Sequence, residues 1–172
     1  MKENYKSGEA INSNLRVLIA LMVFFAGSVP FASAGDVQEG WVARYNPSNN
    51  NDDARAIAVD GAGNVYVTGQ SRSSGTEDLF DYATVKYNSA GQQQWVARYN
   101  GPGNGFDSPT GIAVDSSGNV YVTGGSPGLG TDFDYATIKY NSAGQQQWVA
   151  RYNGPKNDYD SASAIAIDSS PQ

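Results

Sequence analysis

After residue 40 the chain is dominated by short runs in which apolar and polar side chains alternate, separated by clusters of Gly, Asn, Asp and Ser. Residues 56–59, 65–68, 81–87 and 93–99 carry this two-residue period and predict four strands. The first two are joined by Asp60-Gly61-Ala62-Gly63-Asn64, a composition suited to a tight hairpin with one residue at positive φ. Residues 70–80 predict a longer loop between the second and third strands. Asn88-Ser89-Ala90-Gly91 predicts the turn into the fourth. No stretch after residue 35 sustains a 3.6-residue apolar period, so no helix is expected there.

The whole pattern then returns. Trp41-Val42-Ala43-Arg44-Tyr45-Asn46 recurs from Trp95 and again from Trp148, and the run from Asp81 to Asn100 recurs from Asp134 to Asn153 with Val85 replaced by Ile138. Similarly, AIAVD at Ala56 becomes GIAVD at Gly111 and AIAID at Ala164, and GNVYVTG appears at Gly63 and at Gly118. A repeat of this length marks one supersecondary unit that stacks on its copies. Four antiparallel strands per unit predict a β-propeller blade. The side chains agree. The first strand holds small residues, Ala56 and Ala58 or Gly111 and Ala113, as a crowded inner strand requires, while the fourth carries Trp95, Ala97 and Tyr99, a bulk that suits an outer rim.

GIAVDSSGNVYVTG and DYATIKYNSAGQQQWVARYN resemble the SBBP repeats of exported bacterial and archaeal proteins, named for a seven-bladed β-propeller, over nearly all of residues 35–170. A looser similarity links GIAVDSSGNVYV to NHL-type propeller repeats. The resemblance implies an all-β propeller and a surface or secreted scaffold. It implies no shared catalytic residues.

The expected fold class is therefore all-β: two complete blades of four antiparallel strands, near residues 54–100 and 109–153. An orphan outer strand near 41–46 and an orphan inner strand near 164–168 complete the expected inventory. Rings have four to eight blades, so two form an incomplete propeller. The count predicts a truncated or partial sequence, with ring closure by self-association through the exposed blade faces as the alternative. An uncovered face of about 400 Å² would cost about 10 kcal/mol at roughly 25 cal/mol per Å².

Residues 1–34 differ from the rest. Lys2, Lys6 and Arg16 precede an apolar run from Val17 to Ala26, and Ala32-Ser33-Ala34 offers a small-residue cleavage site. This is the layout of a signal peptide cut after Ala34, too short in its apolar part to span a bilayer. The expected product, residues 35–172, is secreted, periplasmic or held at the cell surface, with no membrane span. Three of the 11 Lys+Arg and two of the 17 Asp+Glu fall in the leader, leaving 8 - 15 = -7. Such a charge disfavours nucleic acid as a partner.

With no Cys and no His, thiol nucleophiles, imidazole bases and nearly all zinc sites are excluded, along with disulfides. The segments entering each first strand repeat Asn49, Asn104 and Asn157, with Asp52, Asp107 and Asp160 three residues later. Oxygen donors at that spacing are candidate Ca²⁺ ligands. The competing reading is that each Asp caps its own turn. No other cofactor is expected. The loops between second and third strands diverge most and offer recognition residues: Arg72, Glu77 and Asp78 in one unit, Leu129 and Asp132 in the next. Tyr66, Tyr82, Tyr87, Trp95 and Tyr99 could stack on a glycan or pack blade against blade, and their place within strands favours packing. The leading functional reading is a non-enzymatic exported scaffold that binds protein or glycan. The alternatives are part of a metal-dependent hydrolase or lactonase, and a gene remnant without activity of its own.

Overall fold

A computed structural model describes residues 39–47, 51–72 and 79–168, all within one unit. The leader, Asn49, Glu77 and Asp78 lie outside the described residues. Among the described residues there is no helix, and eight strands form two sheets. The first sheet holds β1 (Asp52–Val59), β2 (Val65–Arg72), β3 (Phe80–Tyr87) and β4 (Gln93–Tyr99). The second holds β5 (Ser108–Val114), β6 (Val120–Pro127), β7 (Phe133–Tyr140) and β8 (Gln146–Tyr152). Both are antiparallel meanders in chain order, the topology of a propeller blade, and they make up an incomplete propeller.

The turns close as the residues demand. Gly63 and Gly118 sit at φ 77 and 78, a region open to glycine, and Gly91 and Gly144 do the same in the second hairpins. The Asp60 carboxylate accepts from the Ala62 and Asn64 amides, both at 2.9 Å, and from the Asn64 side chain at 2.8 Å. Asn88 Oδ1 likewise accepts from the Ala90 and Gln92 amides.

Two expectations need correction at the strand ends. The first strand begins at Asp52 rather than at residue 56, and the second runs on to Arg72, so Gln70, Ser71 and Arg72 belong to the sheet and not to a loop. Asp52 and Asp53 pair with Ser71 and Gln70 past a bulge between Ala54 and Ala56. These polar residues have poor strand propensity, and the ladder on their neighbours overrides it. The second correction concerns the orphans. Residues 41–46 and 164–168 are not paired in any ladder among the described residues, and a strand needs an adjacent edge to pair with.

The core lies between the blades. Tyr66, Tyr82, Ala97 and Tyr99 from one face of the first sheet meet Val120, Val122, Ala136, Ile138 and Tyr140 from the facing side of the second. Trp95 reaches across the joint, its ring 6.4 Å from Tyr140 and its Nε1 donating to Ser142 O at 3.1 Å. Tyr66, Tyr82, Trp95 and Tyr99 therefore pack in this joint, whereas Tyr135, Trp148 and Tyr152 at the same strand positions of the second blade are exposed.

Candidate interaction surface

In a four-strand meander, the loop entering the first strand and the loop between the second and third lie at the same end of the sheet. Topology thus gathers the two kinds of candidate loop that are far apart in sequence. Gly103 N donates to Pro127 O at 3.2 Å, tying the 101–107 loop to the end of β6. Asp107 N donates to Phe80 O and Asp160 N to Phe133 O, each at 2.7 Å, which fastens each entry loop to the start of a third strand.

The candidate Ca²⁺ ligands are used inside these loops. Asp107 is fully buried and its Oδ2 accepts from Gly101 N at 3.0 Å, while Asp160 Oδ2 accepts from Gly154 N at 2.6 Å. Asn104 and Asn157 take left-handed conformations, φ 46 and 52, and their side-chain oxygens accept from Asn100 and Asn153. Burial pushes the Asp107 carboxyl above its ordinary value, against the lowering effect of the Ser126 hydroxyl and the Gly101 N–H. Asp52 stands in β1 without such a loop bond, since Pro47 follows Asn46 where Gly101 follows Asn100. Among the described residues no group of three acidic side chains converges as a metal site would require. The geometry of Asp107 and Asp160 is that of turn caps.

Of the candidate recognition residues, Leu129 is 80% exposed and Asp132 is exposed, in a loop closed by Gly128 N donating to Asp132 O at 3.2 Å. Arg72 ends β2 and is half-buried, so it belongs to the rim of the sheet. The structure adds a feature that the residue pattern did not single out. Phe80, Phe106, Phe133 and Tyr159 form a continuous row at this loop end, with ring centroids 5.4, 6.5 and 5.1 Å apart in that order. Phe106 and Tyr159 remain 37% and 63% exposed. The available signal was an aromatic residue immediately before Asp107 and again before Asp160, in loops otherwise rich in Gly, Asn and Asp.

Behind this end, a repeated ion-pair network locks the outer strand. Arg151 donates to Ser126 O at 2.6 Å, Ser126 Oγ at 2.8 Å, Asp134 at 3.0 Å and, from the other blade, Tyr99 Oη at 2.8 Å. Arg98 does the same with Ser71 and Asp81, and reaches Tyr45 Oη at 3.4 Å. These groups hold loops in place.

The described residues thus show two four-stranded blades, entry loops tied to the starts of third strands and a Trp linking the joint. Comparison with known families agrees: the model described as SBBP, Beta-propeller repeat, matches residues 40–75 and 94–132. The first matched stretch runs from residues 41–46 through β1 and β2, and the second from β4 through β5 and β6, across the joint between the blades. No curated protein matches the chain.

Proposed function

Because this chain is built on SBBP beta-propeller repeats, we propose that it is an exported, non-enzymatic scaffold whose loop end binds another protein. The carrying observation is the aromatic row from Phe80 to Tyr159, in which Phe106 and Tyr159 are exposed. Aromatic side chains held by a rigid sheet lose little entropy on binding and are the usual anchors of protein interfaces. The partner presents apolar pockets rimmed by basic groups, since residues 35–172 carry a net charge of -7 by the count above.

Export is supported by the basic, apolar and small-residue order of residues 1–34. The mass of the chain recovered outside the producing cell tests it, and a first residue of Gly35 is expected. Binding is tested by measuring retention of the chain on the surface of the producing cells. Phe106→Ala with Tyr159→Ala is expected to reduce retention at least about tenfold while the fold remains intact. Unchanged retention would remove the loop end as the binding surface.

A further inference from the structure

The joint between the two blades is a template, and among the described residues both of its halves occur a second time with no blade against them, the one on the first blade partly covered by Trp41, Ala43 and Tyr45. One half is the face of the first blade that carries Tyr66, Tyr82, Trp95 and Tyr99. The corresponding face of the second blade carries Tyr121, Tyr135, Trp148 and Tyr152 on the same strand positions. Tyr82 and Tyr99 are 0% and 9% exposed, whereas Tyr135 and Tyr152 are 39% and 56% exposed. The other half is the face of the second blade with Ile112, Val120, Val122 and Ile138. Its equivalent on the first blade, Ile57, Val65, Val67 and Val85, lines a groove of about 280 Å³, where Ile57 is 66% exposed.

Trp sockets show how the open halves relate. Trp95 lies against Gly144, so close that a Cβ there would stand 2.6 Å from the indole, and it meets the Tyr140 ring. Trp41 fills the matching socket over Gly91 and Tyr87, with ring centroids 6.0 Å apart. Trp148, 42% exposed, has the same strand position and, among the described residues, stacks its ring on Tyr121 of its own blade. The segment holding Trp41 fits less closely than its internal counterpart. Tyr45 Oη is 3.4 Å from Arg98, whereas Tyr99 Oη is 2.8 Å from Arg151.

We propose that a second copy of this chain covers the groove on the first blade with the far face of its own second blade. Trp148 and Tyr152 of one copy then take the places of Trp41 and Tyr45 on the other. The occupant is identified by the joint already present inside the chain, which pairs nearly the same side chains in the same register. The contact is head to tail, so each copy keeps one face for a further copy. Residues 159–165 lie over the inner part of the far face, with Thr110 donating to Ala162 O and Ile165 beside Gly111. They shift aside as β1 of the incoming copy takes their position.

Sedimentation of the chain as recovered from the expressing cell, over a broad concentration range, tests this. The wild-type chain is expected to grow beyond a dimer as concentration rises. Ile57→Glu and Trp148→Glu each place a charge on one half of the contact and are expected to weaken it at least about tenfold. Mixing the two variants is expected to give a complex of one copy of each that grows no further, because each retains the half the other has lost. Trp41→Ala is expected to strengthen association by freeing the socket, where a merely sticky surface would weaken. Near-UV circular dichroism checks the fold, and Tyr152→Asp serves as a second variant on the far face. A wild-type chain that stays monomeric, a mixture that forms no heterodimer, or weaker association with Trp41→Ala would overturn the proposal.

Discussion

Arg151 shows how much a single side chain settles at the residue scale. Its guanidinium satisfies the carbonyl and hydroxyl of Ser126, the buried carboxylate of Asp134 and the hydroxyl of Tyr99, joining three strands of one blade to the outer strand of its neighbour. Arg151→Ala leaves Asp134, 5% exposed, without its counter-charge, and about 3 kcal/mol of stability should be lost in urea unfolding. Gly124 is decided by the opposite property, absence of a side chain. The bulge in β5 brings the Ser108 carbonyl and Pro109 Cα against it, so any Cβ would collide with backbone. Gly124→Ala should cost about 2 kcal/mol by the same measurement. Asp60 gives a pH signature. Burial raises its pKa, but hydrogen bonds from Asn64, Tyr66 and Ala62 outweigh this and hold it at about 2. A carboxyl lowered in the folded state stabilises it above the ordinary value of 3.8, and that stability is lost as pH falls from there towards about 2. Melting temperatures measured across that window should fall less steeply for Asp60→Asn than for the wild type.

At the scale of elements, the hairpins were the most legible part of the sequence and the strand ends the least. Asp60-Gly61-Ala62-Gly63-Asn64 states its turn because the chemistry is local: one glycine at positive φ and one carboxylate over two backbone amides. The extension of β1 back to Asp52 depends on pairing with Gln70 and Ser71, and that of β2 to Arg72 on pairing with Phe80 across a loop, neither of which propensity registers. The joint between elements depends on Trp95. Its ring meets Tyr66 at 6.1 Å within its own blade and Tyr140 across the joint. Trp95→Ala is expected to lower stability by about 3 kcal/mol while leaving each hairpin's backbone pairing in place. Chemical unfolding followed by hydrogen exchange separates those two outcomes. Residues 41–46 repeat the sequence of β4 and β8 yet form no ladder, which shows that a strand pattern needs a neighbouring edge to become a strand.

For the whole molecule, the repeat sets the order of what is known. Two blades meet through one joint, and the 101–107 entry loop lies at one end with the aromatic row. Asp107 and Asp160 are engaged by backbone amides of their own loops, so removing divalent cations with EDTA should leave the melting temperature unchanged. A downward shift would restore the cation reading for these loops. The amino-acid sequence alone determined the period, the four-strand unit and the two tight turns in each, because alternation and turn chemistry act between residues near in the chain. Tertiary structure alone decided that Phe80, Phe106, Phe133 and Tyr159 stand in one row. It also decided that Tyr82 is sealed while Tyr135, with the same neighbours in sequence, is exposed. Those outcomes depend on which sheet face has another sheet against it, and no property of a residue or its immediate neighbours carries that information.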